Sequence, residues 1–266
     1  MPRNLECEFD NVDERFTLET VHPALSRVDH RPWPIPSRPW IGRQRWCDLL
    51  FAHWPVPAST LRHLVPESLT IQEFEGTSWV GVVPFRMEGV SFRGLPDVPG
   101  LSSFLELNLR LYVEYQGKPG VWFVSLDCSN PPAVWAARTF FHLPYFRAHM
   151  SMDEFAGDLT YYSERVAGGI AMEAVYGPTG EGYQAPPGSL DHWLTERYCL
   201  YAQSRSGQLF RGHIHHHPWP LQPAKAEFLY NDLTKPHGFA LEGPPATLHF
   251  SRKIDVVIWG LERVAG

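Results

Sequence analysis

One stretch constrains the fold more than any other: FLELNLRLYVEY, residues 104–115. Leu105, Leu107, Leu109, Leu111 and Val113 alternate without a break with Glu106, Asn108, Arg110, Tyr112 and Glu114. A period of two over this length predicts a strand with one apolar and one polar face. The turn-forming QGKPG follows, and then VWFVSLDC, so the segment is read as the first arm of a β-hairpin. The question it poses is whether the polar face meets water or lines a site.

The second arm bears on that question. VWFVSL is apolar on both faces, with Trp122, Val124 and Leu126 on one and Val121 and Phe123 on the other. A slip of one residue would exchange those faces, so the register stays open. In either register Glu106, Asn108 and Arg110 lie beside an apolar row, whereas a solvated sheet face is usually polar on both strands. Side chains two and four residues apart on a strand stand about 7 and 14 Å apart along it. Glu106 and Arg110 can thus flank a ligand. The competing reading is a polar face shielded by a helix or loop, its charges paired across strands.

The rest of the chain fits many short strands. Its 25 prolines and 21 glycines are spread along 266 residues, and 44% of the residues are hydrophobic, enough for a substantial core. WCDLLFAHWPV and TSWVGVVPFRMEGV are predicted strands, LTYYSERV and GIAMEAVYG a second hairpin, and GQLFRGHIHHHPWPLQPAKAEFLYNDL and ATLHFSRKIDVVIWGLERV mostly strand. Helices are expected at PASTLRHLVPESL, with Ser59 as cap, and after SNPP, with Asn130 as cap and Pro131 in the first turn. The second carries the stripe Val134, Trp135, Arg138 and Phe141. A third is expected over residues 187–203, with Leu190, Trp193, Leu194 and Tyr198 on one face. Residues 1–30 read as an N-terminal arm, HRPWPIPSRPW as an extended lead-in, and residues 31–266 as a single β-rich domain.

Charge and cysteine content exclude several classes. A net charge of −6 gives no basic footprint for nucleic acid. There is no long apolar run and no charged-then-apolar leader, so the expectation is a soluble, cytoplasmic protein without a membrane partner. Cys7, Cys47, Cys128 and Cys199 lack CxxC spacing and read as reduced thiols, with Cys128 the one candidate nucleophile.

RPW, RWCDLLFAHWPV, FLELNLRLYV, LTERYCLY and HHPWPLQPA together resemble the YqjF-like family of uncharacterised conserved proteins, over roughly residues 31–255. That family is grouped by fold with acetoacetate decarboxylase. The resemblance implies a mainly β fold, an antiparallel barrel or cone around a cavity with two or three short helices. The decarboxylase carries a glutamate early in a central strand, where Glu106 is similarly placed. Its helix-ending Gly-Tyr-Pro-Lys-Lys segment supplies a Schiff-base lysine, held deprotonated by its neighbour's charge. Here the corresponding segment is FHLPYFR: Pro144 matches, and Tyr145 and Phe146 replace both lysines. The remaining lysines, Lys118, Lys225, Lys235 and Lys253, are not at that place, so the resemblance does not carry over Schiff-base decarboxylation.

Two further clusters stand out. In GHIHHHPW, alternation puts His213, His215 and His217 on one strand face and His216 on the other. Such residues suit a transition metal, but polar strand positions suffice to explain them, and no metal or cofactor is expected. HLPYFRAHM supplies His142, Tyr145, Arg147 and His149 just past a helix end. Tyr145 is a candidate donor to a ligand carbonyl, Arg147 a carboxylate anchor and His142 a binding residue. In LTERY, Glu196 is expected to pair with a core arginine. The residues therefore point to a small-molecule cavity acting on an oxo- or hydroxy-carboxylate by acid–base chemistry of lyase or hydrolase type. Glu106 and Tyr145 would be catalytic, and Asn108, Arg110, His142 and Arg147 would bind substrate. The alternatives are a non-catalytic binding domain, or a structural protein whose RPWPIPSRPW segment docks a second copy of the chain.

Overall fold

The computed structural model describes residues 22–264, so most of the expected arm, residues 1–21, lies outside the described residues. The strands are β1 (Gly42–Pro55), β2 (Thr70–Ile71), β3 (Trp79–Phe92), β4 (Phe104–Tyr115), β5 (Lys118–Cys128), β6 (Tyr145–Phe155), β7 (Asp158–Arg165), β8 (Ala171–Pro178), β9 (Cys199–Gln203), β10 (Leu209–His216), β11 (Gln222–Asn231), β12 (Thr247–Ile258) and β13 (Glu262–Arg263). The α-helices among the described residues are α1 (Ala58–Leu61), α2 (Pro131–Phe140) and α3 (Leu190–Thr195). None of them is long and apolar enough to cross a membrane.

The alternating stretch is β4, and it is central. It pairs antiparallel with β3 on one side and β5 on the other. The β4–β5 turn is tighter than the sequence suggests, because Gln116 and Gly117 take φ of 49° and 71°. Two consecutive positive φ values twist a hairpin in the sense its strands require, so Lys118 and Pro119 already belong to β5. The register sets Glu106 opposite Cys128 and Asn108 opposite Leu126. After a bulge between Leu109 and Arg110, it sets Arg110 opposite Phe123.

Pairing closes on itself along two routes. β5 pairs through its first half with β9, and β9 with β10; residues 214–216 of β10 then pair with residues 256–258 of β12. From β12 the sheet runs through β1 and β3 back to β4, completing a seven-strand circuit. The other route leaves the end of β5 through β6, β7, β8 and β11 and rejoins the first half of β12. Both contacts of β5 outside its hairpin, with β6 and β9, are parallel. The expected antiparallel barrel is thus a mixed sheet, because two separate stretches of chain dock against one hairpin arm.

The two faces of the shared strands have different environments. Leu107, Leu109, Leu111 and Val113 are at most 1% exposed and pack with Leu50 and Val82 against Leu159 and Tyr161 of β7 and Met172 and Tyr176 of β8. Full burial of such a side chain contributes about 1.5–3 kcal/mol. This face fixes the register, since a one-residue slip would replace the leucines with Glu106, Asn108 and Arg110.

The helices depart from expectation in detail. Asn130 caps α2, its side chain accepting from the Ala133 amide at 3.1 Å, and Pro131 opens the helix. Of the expected stripe Val134 is buried, whereas Trp135 is 63% exposed. α1 starts after Pro57 with no side-chain cap, so Ser59 does not serve that role. The run 187–203 is split: α3 ends at Thr195, and Cys199–Gln203 form β9 between β5 and β10. Helical spacing described Leu190, Trp193 and Leu194 correctly, since they pack with Trp79 and Tyr112. Strand partners distant in sequence override it beyond them. Upstream of β1, the Ala24, Leu25, Ile35 and Trp40 side chains pack on Val257 and Trp259 of the same chain.

Candidate functional site

A cavity of about 540 Å³ lies inside the seven-strand circuit, and all seven strands contribute to its lining. Glu106, Asn108 and Arg110 line it, as do Val121, Phe123 and Leu126 of the apolar partner strand. The polar face of β4 therefore looks into this cavity. Its side chains are buried: Glu106, Asn108 and Arg110 are 2%, 6% and 8% exposed.

Among the described residues, Glu106 is the only carboxylate residue in the lining. The Tyr145 hydroxyl donates to its Oε2 at 2.7 Å, which brings together the two residues assigned catalytic roles from sequence. Tyr145 reaches Glu106 because β6 starts directly after Pro144 and pairs in parallel with the end of β5, setting Tyr145 beside Leu126. Burial pushes the Glu106 carboxyl up to about 8, against the stabilisation of its anion by Tyr145 and Asn108. At neutral pH Glu106 is therefore mostly protonated. Burial, then the Glu106 charge, raises the Tyr145 phenol well above its usual value, so it stays a donor. The Asn108 Oδ1 is buried with no hydrogen-bond partner.

Two of the guanidinium groups of the lining, Arg110 and Arg197, are held without carboxylates. Arg110 donates to the Tyr112 hydroxyl at 3.0 and 3.2 Å and to the Leu194 carbonyl at 3.1 Å, and lies 5.0 Å over the Phe51 ring. Arg197 donates to the Trp193 carbonyl at 2.7 Å and to Gln72, and stacks on Trp193 at 4.4 Å. Its Nη2 is buried and unpartnered, and burial lowers its pKa to about 10. Among the described residues no acidic side chain pairs with either. Arg43, at the mouth, is neutralised by Asp97 at 2.8 Å.

Other candidates fall elsewhere. His142 does not border the cavity; it takes a positive φ of 53° after α2 and packs on Phe210 at 5.1 Å. Arg147 and His149 sit on the exposed face of β6. Proximity in HLPYFRAHM does not become proximity in space: Tyr145, at the start of β6, is buried against Glu106, whereas Arg147 and His149 further along the strand are exposed. Of the histidines, His216 and His213 border the cavity, but His213 accepts or donates at 2.9 Å with Glu262, and His215 sits between the Arg27 carbonyl and Arg31 on the other side of β10. Among the described residues no group of three His, Cys, Asp or Glu side chains is placed to hold a metal. Glu196 finds no arginine: it accepts from the Trp219 amide at 2.8 Å and from the Tyr198 hydroxyl. The Cys128 thiol, opposite Glu106, is fully buried, and burial followed by the Glu106 charge raises its pKa, so it is not an activated nucleophile. None of the four lysines borders the cavity.

Arg197 was missed as a cavity residue. Its only signal in the sequence was LTERY, which reads as helix there, whereas Arg197 lies in the turn that delivers β9 to β5.

Comparison with known proteins agrees with this architecture. A family model described as "Uncharacterized conserved protein", DUF2071, matches residues 43–255. The uncharacterized protein YqjF of Bacillus subtilis (strain 168) is 46% identical over 238 residues, spanning 89% of this chain and 98% of YqjF. An acetoacetate decarboxylase of Clostridium botulinum (strain Eklund 17B / Type B) is 31% identical over 160 residues, 59% of this chain and 56% of that protein. Among solved structures, acetoacetate decarboxylase from Legionella pneumophila superposes with a TM-score of 0.57 at 15% identity, over 94% of this chain and 98% of that one. The enduracididine biosynthesis enzyme MppR, complexed with pyruvate, superposes with a TM-score of 0.61 at 11% identity, over 92% and 98%. The chain belongs to the DUF2071 family of uncharacterized conserved proteins and has the fold of acetoacetate decarboxylase-like enzymes.

Proposed function

We propose that this protein is an enzyme that moves a proton on an oxo- or hydroxy-carboxylate, with Glu106 as the acid–base group. One observation carries the reading. A single cavity contains a carboxyl that is mostly protonated at neutral pH and two buried guanidiniums, Arg110 and Arg197, without carboxylate partners. With Glu106 neutral, the cavity carries net positive charge and favours an anion. A bound carboxylate would give Arg197 Nη2 the acceptor it lacks.

In this reading Glu106 gives its proton to an enolate or alkoxide as charge develops, and takes one back in the reverse direction. The Tyr145 hydroxyl then stabilises the carboxylate left behind, and the pKa near 8 keeps both protonation states accessible at physiological pH. No iminium is formed, since no lysine borders the cavity. That a protein of the same fold was crystallised with pyruvate supports choosing an oxo acid as the first probe.

The test is deuterium incorporation at C3 of pyruvate or 2-oxobutyrate in D₂O, followed by proton NMR. Wild type should exchange catalytically, and Glu106→Gln should be slower by a factor of about 10²–10⁴. Equal rates in the two proteins would remove Glu106 from the chemistry.

A further inference from the structure

We infer that the substrate carries an apolar body, a medium-length alkyl or an aryl group, which occupies the outer half of the cavity. The inference rests on the reading above for the polar head and extends it to the rest of the molecule. Size is the first argument. A cavity of about 540 Å³ holds roughly eighteen water-sized volumes of about 30 Å³ each. Pyruvate has only six non-hydrogen atoms, while cavities of this size ordinarily enclose drug-sized ligands.

The distribution of polar groups is the second argument. Going along β4 from Arg110 through Asn108 and Glu106 to Phe104, the lining changes from charged to apolar. Beyond Phe104 the walls are Val90 and Met87 of β3 and the small residues Ala133, Ala136 and Ala137 of α2, which leave room where larger side chains would fill it.

The mouth is the third argument. Phe92, Leu95, Val98 and Leu101 all border the cavity and are 47–57% exposed. Exposed apolar side chains gathered at one place mark a binding surface. This rim is braced: Arg43 bonds Ser91 and Asp97, and the cap residue Asn130 donates to the Leu101 carbonyl at 3.2 Å. An apolar tail leaving the head site along β4 would pass between this loop and α2. The polar head alone would leave these surfaces wet.

The experiment is a calorimetric binding series of straight-chain 2-oxo acids from pyruvate to 2-oxodecanoate, with phenylpyruvate, and in parallel the methyl ketones of matching length. The expected result is a tightening of about three- to fourfold per methylene until the outer half is filled. Ala136→Phe, which narrows the outer half from α2, should weaken 2-oxodecanoate at least tenfold and leave pyruvate unchanged; Val90→Trp repeats the test from the opposite wall. Acids that bind with no dependence on length would overturn the apolar body and leave the head site intact. Ketones that show the same gradient and bind as tightly as the acids would instead remove the carboxylate head while supporting the tail.

Discussion

Replacing Glu106 by glutamine should change how stability depends on pH, by an amount the structure sets. Burial raises the folded-state pKa from the ordinary 4.5 to about 8. Between these values the folded protein holds a proton that the unfolded chain has lost, so stability falls as pH rises through the window and levels off above it. At about 1.36 kcal/mol per pH unit the loss is on the order of 4–5 kcal/mol. Glutamine does not titrate and its side-chain oxygen still accepts from Tyr145, so the variant lacks this loss. For a chain of this size 1 kcal/mol moves the melting temperature by about 2–4 °C. The difference in Tm between the proteins should thus shift by about 10 °C or more from pH 5 to pH 9, in favour of the variant. Buried histidines such as His53 and His216, whose pKa values burial lowers, cost stability as pH falls below their usual range, but they do so in both proteins and cancel. Thermal melts across the window provide the assay. A difference that stays constant from pH 5 to pH 9 would refute a neutral Glu106.

Three other substitutions probe separate parts of the account. Tyr145→Phe removes a donor that stabilises the Glu106 anion, so the pH midpoint of proton exchange should move up, as a rate profile would show. Gly120→Ala places a Cβ 2.8 Å from the Cys199 carbonyl and the Tyr201 ring; it should push β9 off β5 and cost about 1–3 kcal/mol in urea denaturation. It should also weaken ligand-induced stabilisation, because that pairing closes the circuit around the cavity. Asp127→Ala leaves Arg165 buried without the carboxylate it bonds at 2.7 Å and should cost about 3–5 kcal/mol, with exchange per folded molecule unchanged.

How far the sequence could be read is clear from particular residues. Alternation in 104–115 gave the strand, its polar face and the apolar neighbour, because period-two patterning is local. Asn130 and Pro131 gave the start of α2 for the same reason. Local pattern failed where a distant partner decides the outcome. Cys199–Gln203 continue a helical spacing, yet become β9 by pairing with β5 and β10. Arg197 enters the cavity only through that pairing. Within HLPYFRAHM, the parallel contact of β6 with β5 sets Tyr145 beside Leu126 and within reach of Glu106, while Arg147 is exposed. Trp135 is exposed because the α2 face that meets the cavity is the small one, Ala133, Ala136 and Ala137.

The central claim is that Glu106 holds a proton at neutral pH inside a cavity that takes a carboxylate. A carbon-13 NMR titration of side-chain-labelled glutamates, with Glu106→Gln for assignment, tests it most directly. The account requires one carboxyl that is still protonated at pH 7, titrates near 8, is missing in the variant and shifts when a 2-oxo acid is added. A spectrum in which every glutamate is ionised by pH 6 would contradict it.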